Sequence, residues 1–429
     1  MIVEFNVANF KSMRHKQTLS MQAAPIVSKD PEVDEKNVFS TSEGMKLLKS
    51  AAIYGPNASG KSNVIKALGR MLNFIDKSFQ DENQVNRVTF FALDNESDKM
   101  PIHFEIIFIT DSNKYRYGFE ITERQVSAEW LFGPANTNEV EYFTRLGDQI
   151  NVNKSRFKEG TELPPGKTKS STLFLNVVHA FNGPIAGEIK TFFRSKIMVS
   201  DGIQHATLRK ATLTMMENES FRARITELMR AADLGIEDID HVEVENLTPA
   251  EHPPVKFPVE SDEKKSQKIL GSVRKVKNAS ASSPPYLFLF DEFESEGTKK
   301  LFAYSGPIVA SLAFGRTLVI DELDSQLHPS LTRRIVELFN SKESNPMNAQ
   351  LIFVTHDINL LDPTLLRRDQ IYFTEKNNDG ETSLYSLVNI GGVRNDVSYE
   401  REYMKGKYGA LPYLAKFNIQ PDEQDQKNR

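Results

Sequence analysis

The sequence predicts an α/β fold with an N-terminal antiparallel β meander, a mainly parallel central sheet flanked by helices, and a helical insertion. Apolar residues at 49–54 lead into a glycine-rich turn, and those at 61–80 recur at helical spacing. Apolar and polar residues alternate over 101–152, which is typical of antiparallel strands. Continuous apolar runs begin at Thr317 and Leu351, as expected for parallel strands buried on both faces.

The composition excludes several classes of function. Of the 429 residues, 39% are hydrophobic and 26% are charged, which is enough to bury a substantial core. The net charge of −5 argues against binding of nucleic acid over the whole surface, but a local basic patch is compatible with it. Cysteine is absent, so disulfides, thiolate zinc sites and cysteine nucleophiles are excluded. With no signal peptide and no span of about 20 apolar residues, we expect a cytoplasmic protein without membrane contact.

These patterns divide the chain into four segments. Residues 1–160 contain the glycine-rich turn and the meander, and 161–285 form a helical insertion with a mobile basic loop. Residues 286–420 contain both buried strands, and 421–429 form a polar tail that we expect to fray. No internal repeat is evident, nor is there a heptad pattern long enough for an extended coiled coil.

Local patterns predict further elements. Ile2 to Phe10 should form a first strand pair, and the insertion should be helical over 165–235 with one more strand at 241–247. The stretch 249–285 is rich in proline and serine and should be a mobile loop. Its basic cluster is usually a solvated surface, but a contact with nucleic acid stays open. The cluster comprises Lys264, Lys265, Lys268, Arg274, Lys275 and Lys277.

Residues 55–62 match the phosphate-binding P-loop, or Walker A, pattern in full. Glycines let successive N–H groups point at phosphate oxygens, and the following helix adds its positive N-terminal end. We expect Lys61 to contact the β- and γ-phosphates of ATP and the Ser62 hydroxyl to bind Mg²⁺. A glycine-rich turn that only caps a helix is the alternative, and the preceding apolar strand argues against it. The residues predicted to surround the phosphates are Gly55, Pro56, Asn57, Ala58, Ser59, Gly60, Lys61, Ser62 and Asn63.

Two carboxylates follow the first buried strand. Open α/β sheets bind their ligands at the carboxyl ends of the strands, which is where Asp321 and Glu322 lie. Asp321 is suited to hold Mg²⁺ through its water shell, and Glu322 is suited to polarise an attacking water. Considered without the P-loop, the two carboxylates could instead be a solvent-exposed acidic strand end. The P-loop upstream favours ATP hydrolysis.

The second buried strand ends in Thr355 and His356. Since this position is one strand and one helix beyond the carboxylates, the imidazole is expected to contact the γ-phosphate and the water. The alternative is a structural histidine whose ring forms its hydrogen bonds within the fold. Between the two strands, Asp324 and Ser325 are plausible N-caps of the intervening helix.

Four further pieces make the chain resemble the ABC/SMC division of P-loop ATPases. They are an SMC-type start at Asn9-Phe10-Lys11-Ser12, a degenerate ABC signature loop at Glu294-Ser295-Glu296-Gly297-Thr298-Lys299-Lys300, a D-loop at Asp324-Ser325 and the switch histidine His356. The signature loop, acidic strand end, D-loop and switch follow one another in the order of that division. The resemblance implies an ABC-type ATPase head that uses ATP and Mg²⁺.

The resemblance also assigns roles to individual residues. The backbone at Asn9 and Lys11 would lie near adenine and ribose, and Asp324 would belong to the nucleotide site. Ser295 and Gly297 would contact the γ-phosphate of ATP held by a second copy, giving a homodimer or a larger homo-oligomer. The predicted catalytic residues are Lys61, Glu322 and His356, and the predicted metal ligands are Ser62 and Asp321. A Q-loop glutamine is not evident, with Gln84 and Gln125 as weak candidates.

A narrower resemblance covers nearly the whole chain. It is similar to prokaryotic ATPases of the abortive-infection family, of the RloA and AbiL type, related to the ATPase subunits of retron and PARIS antiphage systems and to the OLD ATPase head. Besides the motifs above, its marks are the strand at 115–120, Asp-Glu-Leu-Asp-Ser-Gln-Leu-His-Pro from Asp321, and the segment 403–412. The resemblance implies a sensor or regulatory subunit that controls a separate effector, a nuclease or toxin encoded nearby. Only 72 residues follow Asp357, too few for the nuclease domain of OLD relatives.

Three other functions compete with this reading. A DNA-repair or recombination ATPase that clamps DNA between SMC-like heads is supported by the basic cluster, and opposed by the net charge and the missing coiled coil. A transporter ATPase subunit is disfavoured by the meander and the large insertion before Glu294. A catalytically inactive binding module is disfavoured because every hydrolytic group has a candidate.

Overall fold

A computed structural model describes most of the chain. The described residues are 1–87, 89–111, 113–135, 139–163, 166–201, 205–232, 235–243, 268–274, 286–394 and 397–412. The strands are β1 (Ile2–Ala8), β2 (Gln17–Ser20), β3 (Val38–Ser40), β4 (Lys46–Leu48), β5 (Ser50–Tyr54), β6 (Ile102–Ile109), β7 (Lys114–Ile121), β8 (Val126–Pro134), β9 (Glu139–Leu146), β10 (Gln149–Val152), β11 (Ile197–Ser200), β12 (Asp238–Glu243), β13 (Lys268–Arg274), β14 (Tyr286–Leu289), β15 (Thr317–Ile320), β16 (Gln350–Val354), β17 (Ile371–Lys376) and β18 (Thr382–Ser386). The helices are α1 (Pro31–Asn37), α2 (Lys61–Lys77), α3 (Lys158–Thr161), α4 (Phe174–Ala180), α5 (Pro184–Lys196), α6 (His205–Met216), α7 (Glu219–Ala231), α8 (Phe290–Phe293), α9 (Glu296–Phe314), α10 (Pro329–Asn340) and α11 (Tyr399–Met404). Among these helices, none has the length and apolar content that crossing a bilayer would require.

Six strands form the central sheet in the order β11-β15-β16-β5-β17-β18. All neighbours are parallel except β17 and β18, which pair antiparallel. The predicted buried strands are confirmed, because every residue of β15 and β16 is buried. Since β5, β15 and β16 are parallel neighbours, the segments that follow them meet at one edge of the sheet.

Seven strands form an antiparallel sheet in the order β10-β9-β8-β7-β6-β1-β2. Its strands β6 to β10 confirm the predicted meander. The prediction of a strand pair within Ile2 to Phe10 is wrong, because Ile2–Ala8 is one strand that pairs with β2 and β6. Asn9 and Lys11 both have a φ of 52°, and this left-handed backbone turns the chain before it returns as β2.

Helix α2 lies between the two large sheets. Its apolar residues, among them Val64 and Phe74, share one buried cluster with Ile53 of the central sheet and Phe104 of the antiparallel sheet. The other face of the central sheet packs against α9 and α10 in a second cluster. The core is therefore layered, and the apolar spacing that predicted α2 reflects contacts on two sides.

The insertion contains the predicted helices, α4 to α7, and also a strand of the central sheet. Strand β11 pairs in parallel with β15, with Val199 opposite Val319. The helical pattern over 165–235 therefore did not predict this element. At four residues, two of them only half-buried, β11 is too short to produce a strand pattern of its own.

The stretch predicted as a mobile basic loop contains an ordered strand. Strand β13 lies between β12 and β14 in a three-stranded antiparallel sheet, and the strand predicted at 241–247 begins earlier, at Asp238. Lys268 and Arg274 are the ends of β13, and the Arg274 guanidinium donates to both Glu294 carboxylate oxygens at 2.7 and 2.8 Å. The predictions for Lys264, Lys265, Lys275, Lys277 and the tail 421–429 lie outside the described residues.

Helix α10 begins later than predicted. His328 is its N-cap, with Nδ1 accepting from the Ser330 N–H at 3.2 Å, and Pro329 occupies the first helical position. The prediction that Asp324 or Ser325 caps this helix is wrong, since both belong to the turn that follows β15. Proline fixes φ for a helix start and needs no N–H partner, which sets the boundary at Pro329.

Candidate nucleotide site

The predicted P-loop joins β5 to α2 at the carboxyl edge of the central sheet. Gly55, with a φ of 149°, and Gly60, with a φ of 107°, adopt backbone conformations that favour glycine. A side chain at either position would collide with a threonine, Thr374 beside Gly55 and Thr382 beside Gly60. Thr382 also donates its hydroxyl to the Ser59 carbonyl at 2.7 Å. Strands β17 and β18, which the sequence did not link to the loop, therefore help to fix its shape.

Lys61 is the first residue of α2, and its ammonium folds back into the loop. Its Nζ donates to the carbonyls of Gly55 at 2.7 Å and Pro56 at 2.9 Å. Burial lowers the pKa of Lys61 to about 8, although the carboxylates of Asp321 and Glu322 act in the opposite direction. Phosphate bound in the loop would add negative charge beside this ammonium and favour its charged form.

The other residues of the loop differ in exposure. Asn57 and Ala58 form its exposed tip, and Ala58 has a φ of 62°. Ser59 is buried, with its hydroxyl 2.5 Å from that of Thr374. Asn63, one turn into the helix, directs its amide toward the loop after β1. The side chains of Ser59 and Asn63 thus support the loop rather than project from it.

The loop after β1 packs against the P-loop through Ser12. The Ser12 hydroxyl accepts from Asn63 Nδ2 at 2.7 Å and lies within hydrogen-bond distance of the Thr382 hydroxyl, also at 2.7 Å. The Asn9 amide instead donates to two carbonyls in the turn before β6, at 2.7 and 2.8 Å. The Asn9 backbone N–H donates to the Arg14 carbonyl at 3.1 Å, and the residue is buried, so the predicted contact of its backbone with adenine and ribose stays a prediction. Lys11 is half-buried beside the same loop.

Ser62 and Asp321 meet at the start of α2, although they are far apart in sequence. The Ser62 hydroxyl donates to Asp321 Oδ1 at 3.0 Å, and Asp321 is buried at the end of β15. Burial raises the pKa of Asp321, and the Ser62 hydrogen bond opposes that shift. A hydroxyl and a carboxylate are suitable Mg²⁺ ligands. In the described part of the chain no three acidic or histidine side chains cluster to hold a metal. A Mg²⁺ ion bound here would take water and nucleotide oxygens as its further ligands.

Glu322, Asp324 and His356 lie beside this pair. Glu322 is exposed and has a φ of 53°, so the backbone turns sharply just after Asp321. Both Asp324 carboxylate oxygens accept from the His356 N–H at 3.2 Å. Burial, and next the charge of Lys61, lower the pKa of His356, so its imidazole is neutral at pH 7.

The predicted signature residues lie at the N-terminus of α9. Ser295 is exposed and caps the helix, its hydroxyl accepting from the Thr298 N–H at 3.1 Å. Gly297 is half-buried, and a side chain there would come within 2.5 Å of the Gln326 carbonyl. The N-terminus of α9 therefore packs closely on the turn that contains Asp324. Neither Ser295 nor Gly297 is buried within its own fold.

The Q-loop candidates lie elsewhere. Gln84 is buried, and its side-chain oxygen accepts from Arg70 at 3.0 Å, while Gln125 is exposed in the hairpin between β7 and β8. Neither follows a strand of the central sheet. Strand β11, which neighbours β15, does end at the edge where Asp321 lies. The next glutamine in sequence, Gln204, lies outside the described residues.

A basic cleft of about 650 Å³ runs along α2, between that helix, α5 and β11. Its charged lining comprises Lys11, Lys66, Arg70, Arg87, Lys190, Arg194, Asp76 and Asp201. Burial lowers the pKa of Lys11, and the nearby charge of Lys66 lowers it further. Among these cations, Arg87 forms an ion pair with Asp81 at 3.3 Å. This cleft was not predictable from sequence patterns, because its cations come from separate segments.

Comparisons with known proteins place this site in context. The sequence profile of a family described as "AAA domain, putative AbiEii toxin, Type IV TA system" matches residues 50–175 and 201–362, more than half of the chain. Solved structures similar to the chain include an SMC head bound to the C-winged helix domain of ScpA, at 15% identity and a TM-score of 0.40, covering 90% of this chain and 97% of that one. Another is the SMC head domain from Thermotoga maritima, at 14% identity and a TM-score of 0.40, covering 90% and 98%. No curated protein is significantly similar in sequence.

Proposed function

The chain belongs to this family of AAA domains, and on that basis we propose that it is a Mg²⁺-dependent ATPase whose sites form between two copies. One observation carries the proposal. At a single edge of the central sheet lie Lys61, the Ser62–Asp321 pair and Glu322. An ammonium, a hydroxyl paired with a carboxylate and a second, exposed carboxylate are the groups that phosphoryl transfer to water requires.

Each group has a task in the proposed reaction. Lys61 neutralises phosphate charge, and Ser62 and Asp321 hold Mg²⁺, which offsets the charge of the phosphates when bound. Glu322, free of ion pairs among the described residues, orients the attacking water and accepts its proton. His356 is neutral and can donate a hydrogen bond to the γ-phosphate while Asp324 holds its backbone.

The second copy would contribute the N-terminus of its helix α9. Ser295 is exposed at a helix N-terminus, where N–H groups and the helix dipole favour a phosphate. We therefore assign Ser295 and Gly297 to the ATP of the partner subunit, so that ATP stabilises a two-fold dimer and hydrolysis releases it.

The Glu322→Gln variant tests this proposal most directly. It should slow hydrolysis by about 10²–10⁴-fold while ATP affinity changes little, because the water loses its base and the phosphate contacts remain. Light scattering should show a doubled mass with ATP and Mg²⁺ and a monomer without them. Glu343→Gln, at an exposed carboxylate on another surface, is the control and should behave like the wild type. Normal turnover by Glu322→Gln would remove Glu322 from the mechanism.

The biological role we propose is a sensor or regulatory subunit of an antiphage, abortive-infection system with a separate effector. Support comes from the family description and from the resemblance to abortive-infection ATPases. Expression with neighbouring genes should protect cells from phage, and the Glu322→Gln variant should abolish that protection. An unprotected wild-type strain from which no partner co-purifies would count against this role.

A DNA-clamping ATPase is the second candidate, and the basic cleft favours it. Replacing Lys190 and Arg194 with alanine should weaken binding of single-stranded DNA. The slope of log K against log salt concentration should fall in magnitude by about 1.4, since two phosphate contacts are lost and each contributes about 0.7 on a single strand. Lys342→Ala, at an exposed lysine elsewhere, is the control. If DNA neither binds nor stimulates ATP turnover in the wild type, this candidate fails.

A further inference from the structure

Helix α9 contains a buried lysine whose contacts the proposed reaction does not yet use. Lys300 is 4% exposed and lies on the same helix that Ser295 caps. Its ammonium donates to the carbonyls of Glu322 at 2.8 Å and Ser325 at 2.6 Å. The Tyr304 ring centroid is 5.3 Å from Nζ. One side chain of the signature helix thus holds both ends of the turn 322–325.

The Lys300 ammonium needs these contacts, because burying a charged group is unfavourable unless protein atoms replace its hydrogen bonds to water. Within the described residues Lys300 forms no ion pair, so two carbonyls and the ring face supply its contacts. Burial lowers the pKa of Lys300 to about 8, while the charges of Asp324, Glu322 and Asp321 act in the opposite direction. The fold therefore keeps a charged side chain buried, despite the loss of its hydration, to bind two backbone carbonyl oxygens.

The turn that Lys300 holds is conformationally demanding. Glu322 has a φ of 53° and Gln326 a φ of 61°, and such left-handed conformations are unfavourable for residues with a side chain. They persist where surrounding contacts impose them. The Glu322 carbonyl accepts from Lys300 as well as from the Ser325 N–H at 3.2 Å. Lys300 is the side chain that ties this conformation to α9.

We propose that Lys300 is a positioning residue that holds Glu322 in its water-orienting conformation and couples it mechanically to the signature end of α9. Ser295 caps the same helix, so a phosphate of the partner subunit bound at Ser295 would act on the turn 322–325 through Lys300. This inference rests on the proposed ATPase function and adds a link between the two sites.

The test compares Lys300→Met, which keeps the length and loses the donors, with Lys36→Met on α1. Lys36 is exposed and pairs with Glu32 at 2.7 Å, away from the nucleotide site, so it is the control. Lys300→Met should lower kcat about 10²-fold with KM changed less than threefold, because ATP contacts remain while Glu322 is misplaced. Lys300→Arg, which keeps a cationic donor, should recover most of that loss.

A double-mutant cycle separates positioning from general destabilisation. In a Glu322→Gln background, Lys300→Met should have little further effect on the residual rate, since the residue acts through Glu322. Equal losses in both backgrounds, or a kcat equal to that of Lys36→Met, would overturn the inference. If Lys300→Met does not fold, the same cycle with Lys300→Gln, which keeps one donor group, decides the question. A wild-type protein without ATP turnover would instead refute the proposed function itself.

Discussion

Gly60 is a residue at which backbone conformation and space both exclude a side chain. Its φ is 107°, and a Cβ would collide with Thr382. Gly60→Ala should therefore distort the P-loop and lower ATP affinity at least about tenfold, as measured by calorimetry. Gly44 is a matched control, because its φ is 80° and no atom lies within 4 Å of a Cβ built there. Gly44→Ala should cost about 1 kcal/mol of stability and leave ATP affinity unchanged. Equal losses of affinity would show that the contact with Thr382 is irrelevant.

Asp324 makes a second residue-scale prediction, through its hydrogen bonds to the His356 N–H. Asp324→Ala removes both acceptors, so the switch histidine should lose its position and kcat should fall on the order of tenfold. Asp324→Asn keeps one side-chain oxygen and should lose less. Steady-state kinetics would measure both variants. An alanine variant with an unchanged kcat would exclude this contact from the mechanism.

At the scale of elements, Glu129 joins strand β8 to helix α4. This buried carboxylate accepts from the Phe174 and Leu175 N–H groups at 2.6 and 3.0 Å and lies 3.8 Å from the Arg145 guanidinium. Glu129→Ala leaves the helix start and a buried cation without their partner, so the free energy of unfolding should fall by about 3–5 kcal/mol. Glu129→Gln, which keeps an acceptor, should lose less.

An exposed pair provides the control for that experiment. Glu139 bonds to Arg116 on the surface of the same sheet, with about half of its carboxylate side chain exposed. Glu139→Ala should change the free energy of unfolding by less than about 1 kcal/mol. Urea denaturation followed by circular dichroism measures both. Similar losses at Glu129 and Glu139 would contradict the capping role of Glu129.

Elements differ in how far the sequence predicts them. Helix α2 and strand β15 were predictable, because each has many buried residues at the spacing its structure dictates. The P-loop residues were predictable for a different reason, since their spacing is fixed within one continuous turn. Strand β11 was not, because four residues leave too little pattern. The Lys300 contacts were also hidden, since they join α9 to a turn that only tertiary packing brings near it.

At the scale of the whole molecule, the layers place the two halves of a shared site on different elements. The P-loop lies at the start of α2, between the two large sheets, and Ser295 lies at the start of α9, on the opposite face of the central sheet. Helix α9 cannot leave that face without abandoning its buried contacts. In a two-fold pair of heads, the P-loop of each copy would meet Ser295 of the other, and neither hydrophobic core would have to rearrange.

This geometry predicts complementation between two inactive variants. Lys61→Ala removes the phosphate-binding ammonium, and Ser295→Arg blocks the exposed start of α9 with a long cation, so each variant alone should be inactive. In a heterodimer of the two, the intact P-loop of one chain meets the intact Ser295 of the other, and one functional site forms. An equal mixture should therefore recover about a quarter of the wild-type rate, because half of the dimers are mixed and each has one working site. Mixing Lys61→Ala with the double variant Lys61→Ala, Ser295→Arg is the control and should recover none. A mixture of the single variants that stays inactive, while heterodimers form, would place Ser295 outside the site.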